Sequence, residues 1–163
     1  MKKVLLSLSF IFLLLSCSNS SILTTEDLFV GNQKEFVGGF ENSGYTISSK
    51  VVDFEGNRFL IEDTSDTATH VQRVYLLKDN EIILVFTGED QIADLSKLDI
   101  NSGEVVVKSP FELGKKWESN GNLYEITALE SDKVQVTKSF PSGVKEIITY
   151  KKGEGKIDRK TIF

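Results

Sequence analysis

The feature that most constrains this chain is a two-residue hydrophobic rhythm, cut at short intervals by turn residues. Val134, Val136 and Lys138 alternate with Lys133, Gln135 and Thr137. Val144, Glu146, Ile148 and Tyr150 alternate with Lys145, Ile147 and Thr149. Successive side chains of an extended strand point to opposite faces, so this rhythm describes strands buried on one side. Between the apolar runs stand Glu55-Gly56-Asn57, Asp79-Asn80, Asn120-Gly121-Asn122, Ser131-Asp132, Pro141-Ser142-Gly143 and Gly153-Glu154-Gly155. These residues accept positive φ or preset a turn, as tight hairpins require. The pattern from Lys34 onward predicts an all-β domain: an antiparallel meander forming a barrel or a sandwich, with at most one or two short helices.

Two places break the rhythm. Thr24-Thr25-Glu26-Asp27 has a threonine cap followed by acids, the signature of a short helix start. In Gln91–Asn101, Ile92, Leu95 and Leu98 recur at helical spacing, which predicts a short helix or a crossover. That interruption separates candidate repeat halves at residues 34–90 and 102–163. Phe40-Glu41-Asn42-Ser43-Gly44 in the first half matches Trp117-Glu118-Ser119-Asn120-Gly121 in the second. Glycines precede both segments (Gly38, Gly39 and Gly114), and Tyr-x-Ile follows both, at Tyr45–Ile47 and Tyr124–Ile126. A duplication would give two stacked meanders; the plainer alternative is that hairpins reuse similar turns.

The N-terminus carries a different pattern. Met1-Lys2-Lys3 is basic, Val4–Leu15 is apolar, and Leu14-Leu15-Ser16-Cys17 follows. The apolar run is shorter than the roughly 20 residues that span a bilayer as a helix. It has the length of a signal-peptide core. The segment ending at Cys17 resembles the lipobox of bacterial lipoproteins, with Leu15 bulkier than is usual at its place. The resemblance implies export, cleavage of a signal peptide over residues 1–16, and lipidation of Cys17. Two or more acyl chains, at about 0.8 kcal/mol per buried CH₂, anchor a protein stably. Residues 17–33 are then a lipid-anchored tether and residues 34–163 a single β-rich domain. The implied location is extracytoplasmic, on the cell membrane or an outer membrane. Pro110-Phe111-Glu112-Leu113-Gly114-Lys115-Lys116-Trp117, Pro141-Ser142-Gly143 and Tyr150-Lys151-Lys152-Gly153-Glu154-Gly155 further resemble β-rich exported domains of Gram-positive lipoproteins. Those domains have no defined activity, so this second resemblance implies class and location and no site. Phe111, where leucine is commoner, and the short link from Trp117 to Tyr124 depart from it.

Charge and composition narrow the partners. The chain has 163 residues and a net charge of −5. Loss of Lys2 and Lys3 with the leader makes the remainder more acidic still. An acidic domain has no electrostatic attraction for nucleic acid or anionic headgroups, so membrane contact is expected through the acyl chains alone. One domain of this length buries enough surface to fold without disulfides, and Cys17 is the only cysteine.

No catalytic constellation emerges. His70 is the only histidine, and no serine sits in a Gly-x-Ser-x-Gly elbow. Gly153-Glu154-Gly155-Lys156 lacks phosphate-loop spacing and reads as a hairpin turn. Glu62, Asp63 and Asp66 form one acidic group and Glu89, Asp90 and Asp94 another; neither has EF-hand spacing, and both read as solvated loops. Phe36, Phe40, Phe54, Phe59, Phe86, Phe111, Trp117 and Phe140 are core candidates, or the lining of an apolar cavity. No cofactor, metal or catalytic residue is assigned. The reading that follows is a non-catalytic, lipid-anchored envelope protein that binds or scaffolds, with an unknown envelope protein as its preferred partner. The alternative is a lipocalin-like binder of a small apolar ligand. A carboxylate enzyme comes third and requires Glu62–Asp66 and His70 to converge on one cleft.

Overall fold

Tight turns of left-handed backbone decide the architecture. Glu55 and Gly56 have φ of 48° and 77°, Asp79 and Asn80 have 50° and 63°, and Asn120 and Gly121 have 49° and 74°. Pairs of positive φ match the right-handed twist of the flanking strands and fold each strand back on its neighbour. The computed structural model describes residues 22–66 and 69–163, so the leader and Cys17 lie outside the described residues. Among the described residues, eleven strands form two antiparallel sheets, and within each sheet every strand pairs with its neighbour in sequence. One of the two sheets is curled into a half-barrel. The first sheet holds β1 (Gln33–Phe36), β2 (Tyr45–Phe54), β3 (Asn57–Ser65), β4 (His70–Lys78), β5 (Glu81–Glu89) and β6 (Glu104–Lys108). The second holds β7 (Lys116–Ser119), β8 (Asn122–Leu129), β9 (Lys133–Ser139), β10 (Lys145–Lys151) and β11 (Gly155–Ile162).

The two sheets face each other across the main core. Leu60, Tyr75 and Ile82 from the first sheet meet Tyr124, Ile126, Val134, Val136 and Tyr150 from the second. The first sheet also buries its other face. Phe59, Val74 and Leu76 point outward and are covered by Ala93, Leu95, Leu98 and Ile100 of the β5–β6 connection. That connection is not a crossover but a long hairpin loop between neighbouring antiparallel strands, containing one 3₁₀ turn, Leu95–Lys97, capped by Asp94; Ile92 is exposed. The strand after it, β6, still pairs with β5, so the division between sheets falls between β6 and β7 and not at Gln91–Asn101.

The two similar sequence segments adopt different local structures. Phe40–Asn42 is a 3₁₀ turn with Glu41 at φ 53°, whereas Trp117–Ser119 lies in β7. Trp117 holds the edge of the neighbouring sheet. Its indole nitrogen donates to the Val105 carbonyl at 2.8 Å, and the Val105 amide donates to the Ser119 hydroxyl at 2.7 Å. Backbone groups on the edge strand β6 are thereby satisfied by side chains.

Residues 22–32 are not a tether. Thr24 caps α1 (Thr25–Leu28) with a reciprocal capping box through Asp27. Leu23, Leu28 and Phe29 enter the core between the sheets. The Gly153 amide donates to the Asp27 carbonyl at 2.8 Å, and Glu26 pairs with Arg58 next to the β2–β3 turn. The segment therefore closes the lower end of the sandwich, where the β2–β3 and β10–β11 turns lie. Phe29 is 1% exposed and Ile92 is 87% exposed. Phe29→Ala is expected to cost about 3–5 kcal/mol in urea unfolding. Ile92→Ala, with nothing to uncover, should change stability by less than about 0.5 kcal/mol.

Candidate functional site

Above the N-terminal plug the inter-sheet space changes character. Strand alternation continues to send side chains inward, but many of them are charged. In β3, Leu60 is followed two residues on by Glu62; in β4, Tyr75 is preceded by Arg73. In β9, Val134 and Val136 are followed by Lys138, and in β10, Ile148 and Tyr150 are preceded by Glu146. From β11 come Lys156 and Arg159, opposite Tyr150 and Ile148. All of these except Leu60, Glu62 and Val134 line a cleft of about 300 Å³, together with Leu84, Thr87, Glu104, Val106, Tyr124 and Phe140; Glu62 borders it through Lys156 and Arg73.

Ion pairs connect the sheets at two places. Lys156 of the second sheet donates to both Glu62 oxygens in the first, at 3.0 and 2.9 Å. Arg73 stands 3.7 Å from the same carboxylate, and the Tyr75 hydroxyl lies 3.4 Å from it. On the other side of the cleft, Lys138 of β9 contacts Glu104 of β6 at 2.8 Å, and Asn122 of β8 donates to that carboxylate at 2.6 Å. A third pair, Arg159 with Glu146, stays within the second sheet. The Lys138 ammonium also sits 4.7 Å from the centre of the Phe140 ring and 5.7 Å from that of Tyr124.

Burial and pairing act against each other on these groups. Burial alone would raise the pKa of Glu62, but the Lys156 charge and hydrogen bonds, with Arg73 and Arg159 beyond, hold it below the ordinary glutamate value. Glu104 behaves alike: burial raises its pKa, and hydrogen bonds led by that of Lys138 bring it below the usual range. Both carboxylates are therefore ionised at neutral pH. Burial, reinforced by nearby carboxylates, pushes the phenols of Tyr75, Tyr124 and Tyr150 upward, so all three stay protonated. The Tyr124 hydroxyl is buried beside Glu104, close enough to feel its charge. It makes no hydrogen bond of proper geometry with any protein atom.

The acidic residues read from the sequence do not assemble into one site. Glu62 and Asp63 are consecutive in β3 and point to opposite faces. Asp63 lies on the outer face with Gln72, which donates to it at 2.9 Å, and with His70, 3.4 Å away. Glu62 is inside, so it does not converge with His70. Asp94 caps the 3₁₀ turn and pairs with Lys97 at 2.8 Å, while the Asp90 amide donates to the His70 carbonyl. Among the described residues, no group of three or more histidine, cysteine, aspartate or glutamate side chains gathers as a metal site. Comparison with family models, with curated proteins and with solved structures finds no match to this chain.

The aromatic residues divide by environment. Phe59 is core, Phe54 and Phe86 pack beneath the β5–β6 connection, and Phe111 and Trp117 pack against the inter-sheet core. Phe36 stacks on Tyr45 at 5.1 Å. Phe140 lines the cleft. The cleft residues Arg73, Glu104, Lys138, Glu146, Lys156 and Arg159 form no sequence motif. Arg73, Glu104, Lys138 and Glu146 share one signal, phase: each occupies a position where strand alternation calls for an apolar side chain, whereas Lys156 and Arg159, three residues apart, both face the cleft because a β-bulge intervenes.

Removing one partner of a buried pair exposes its role. Glu62→Gln leaves Lys156 and Arg73 without their carboxylate, and is expected to destabilise the fold by about 3–5 kcal/mol. Because the folded pKa of Glu62 is depressed, its stabilisation is present above the unfolded-state pKa. It is lost as pH falls through the folded value. Urea midpoints measured from neutral pH into the acid range should therefore fall less steeply in Glu62→Gln than in the parent. An equal slope would show that Glu62 is not an acid-sensitive group.

Proposed function

We propose that the chain is an extracytoplasmic lipoprotein of the bacterial envelope, anchored through acyl chains on Cys17, whose β domain works by binding and performs no chemistry of its own. The charged cleft between the sheets carries the binding part of this reading. Its volume, about 300 Å³, lies at the lower limit of small-molecule pockets. Its walls combine ion pairs and phenols with Leu84, Val106, Val136, Phe140 and Ile148, which supports a small ligand carrying a polar group over a wholly apolar one. The divergence of Glu62 in β3 and His70 in β4 to opposite faces of the first sheet supports binding over carboxylate catalysis.

The anchor implies an orientation. The short link from Cys17 to Ile22 reaches at most about 18 Å even when fully extended. Since α1 closes the lower end of the sandwich, that end would lie next to the bilayer. The cleft, which runs from Tyr150 and Lys156 toward the opposite end of the sandwich, would lie on the far side of the plug from it. Contact with an envelope protein is the second reading. Val37 and Phe163, 97% and 99% exposed at the upper end, favour it.

Two measurements test the proposal. Cys17→Ala is expected to move the protein from the membrane fraction to the soluble fraction; retention in the membrane would remove the lipid anchor from the account. Native mass spectrometry of the full-length protein, extracted from membranes in detergent, should show a reproducible small added mass that is lost on denaturation. A bare protein that instead crosslinks to one envelope protein through Val37 or Phe163 would replace the ligand reading with the second one.

A further inference from the structure

We infer that the inter-sheet cleft is a site for a small organic oxyanion, a carboxylate or phosphate group, held by Arg73 and the Tyr124 hydroxyl with Lys138 and Arg159 around it. This inference rests on the binding reading of the cleft and specifies the chemistry of its ligand.

The first argument is charge. Arg73, Lys138, Lys156 and Arg159 project into the space or border it, against Glu62, Glu104 and Glu146. The cations exceed the acids by one, inside a chain whose net charge is −5. An uncompensated charge in a low-dielectric space is costly unless something pairs with it.

The second argument identifies the cation with the weakest pairing, Arg73, which has only a share of the carboxylate that Lys156 holds. Both oxygens of Glu62 are taken by Lys156 at hydrogen-bonding distance, which leaves Arg73 at 3.7 Å. Arg73 instead donates through the same Nη1 to the Thr64 hydroxyl at 3.0 Å. A guanidinium presents five N–H donors in a planar fork suited to carboxylate or phosphate. Its side chain is 19% exposed, so it is largely withdrawn from solvent. Lys138 and Arg159, by contrast, each have a close carboxylate partner.

The third argument is independent of charge. Tyr124 is 2% exposed and lines the same cleft; its hydroxyl lies beside the Glu104 carboxylate, which Lys138 and Asn122 already engage, and makes no hydrogen bond of good geometry to it or to another protein atom. Leaving a buried hydroxyl unmet is unfavourable, and a neutral phenol is a donor aimed at an acceptor. An oxyanion supplies acceptors to both the phenol and the guanidinium. A neutral apolar ligand satisfies neither, and a cation meets the existing positive excess.

The chain contains its own reporter. Its single tryptophan, Trp117, stacks on Tyr124 with ring centroids 5.3 Å apart. A ligand that engages the Tyr124 hydroxyl should therefore alter Trp117 emission. Full-length protein in detergent would be titrated with benzoate, succinate and inorganic phosphate, with benzamide and benzylamine as neutral and cationic counterparts. The expected result is a saturable change with at least one of the anions and none with benzamide or benzylamine. Tyr124→Phe keeps the stacked ring and removes only the hydroxyl. It should retain or raise the unfolding midpoint while weakening anion binding about three- to tenfold. Arg73→Gln should weaken it about tenfold or more. No saturable response to any of the anions up to about 10 mM overturns the inference. So does an equal response to benzamide, or an anion response that Tyr124→Phe leaves unchanged. A saturable response to benzamide or benzylamine alone would leave the cleft a binding site and reject only the oxyanion, whereas silence from all five probes would count against the cleft as a small-molecule site.

Discussion

The Glu62–Lys156 bridge is the interaction on which the interior depends. It joins β3 of one sheet to β11 of the other at 2.9 Å, where a sandwich would ordinarily interdigitate apolar side chains. Two ions withdrawn from water offset their desolvation only when geometry and additional hydrogen bonds are good. Here both carboxylate oxygens meet the ammonium, and Arg73 and Tyr75 stand on the remaining sides. The bridge is consequently a matching element, not a source of surplus stability. A sheet displaced by one residue would send Glu62 to the outer face and leave Lys156 unpaired. Its contribution is to fix which residues of the two sheets face each other.

The same charges keep the upper sandwich from filling. Below the bridge, Leu23, Leu28 and Phe29 pack against Leu60, Ile82 and Tyr150. Above it, long ionised side chains must retain their partners and cannot collapse onto one another as leucines would. Glu104 with Lys138 repeats the arrangement on the far side, so the cleft lies between two ionic sutures. The gap is thus a consequence of which residues stand at inward positions, and it opens at one end because the N-terminal segment occupies the other.

Much of this organisation was legible in the sequence, and the limits have physical causes. Strands and hairpins were legible because positive-φ turns and period-two burial are local. Each of the six turn segments read from the sequence joins neighbouring strands. The cleft was half legible: Lys138 and Glu146 stand in phase with Val134, Val136, Ile148 and Tyr150, yet a charge in an apolar phase does not reveal its partner. Glu104 is 34 residues from Lys138 and Glu62 is 94 from Lys156, separations that only the sheet pairing brings together. The N-terminal segment went unrecognised as core because α1 is four residues long, too short for a helical period to appear. The resemblance between Phe40–Gly44 and Trp117–Gly121 concealed two backbones. Left-handed Glu41 and Asn42 turn the first segment back, whereas the second stays extended through Ser119 before its turn.

The asymmetry between the two ends connects the fold to the proposed function. A sandwich closed at both ends by hydrophobic plugs has only its outer surface to offer. This one gives its N-terminal residues to a single end, through the Thr24 cap, the Asp27–Gly153 hydrogen bond and the burial of Phe29. If Cys17 is acylated, the plugged end is also the tethered end, because so few residues intervene. Closure and anchoring are then served by one stretch of chain, and the charged cleft is left for the opposite end. Such an arrangement separates what holds the domain from what the domain can hold. A ligand in the cleft would meet side chains fixed by strands on both sheets.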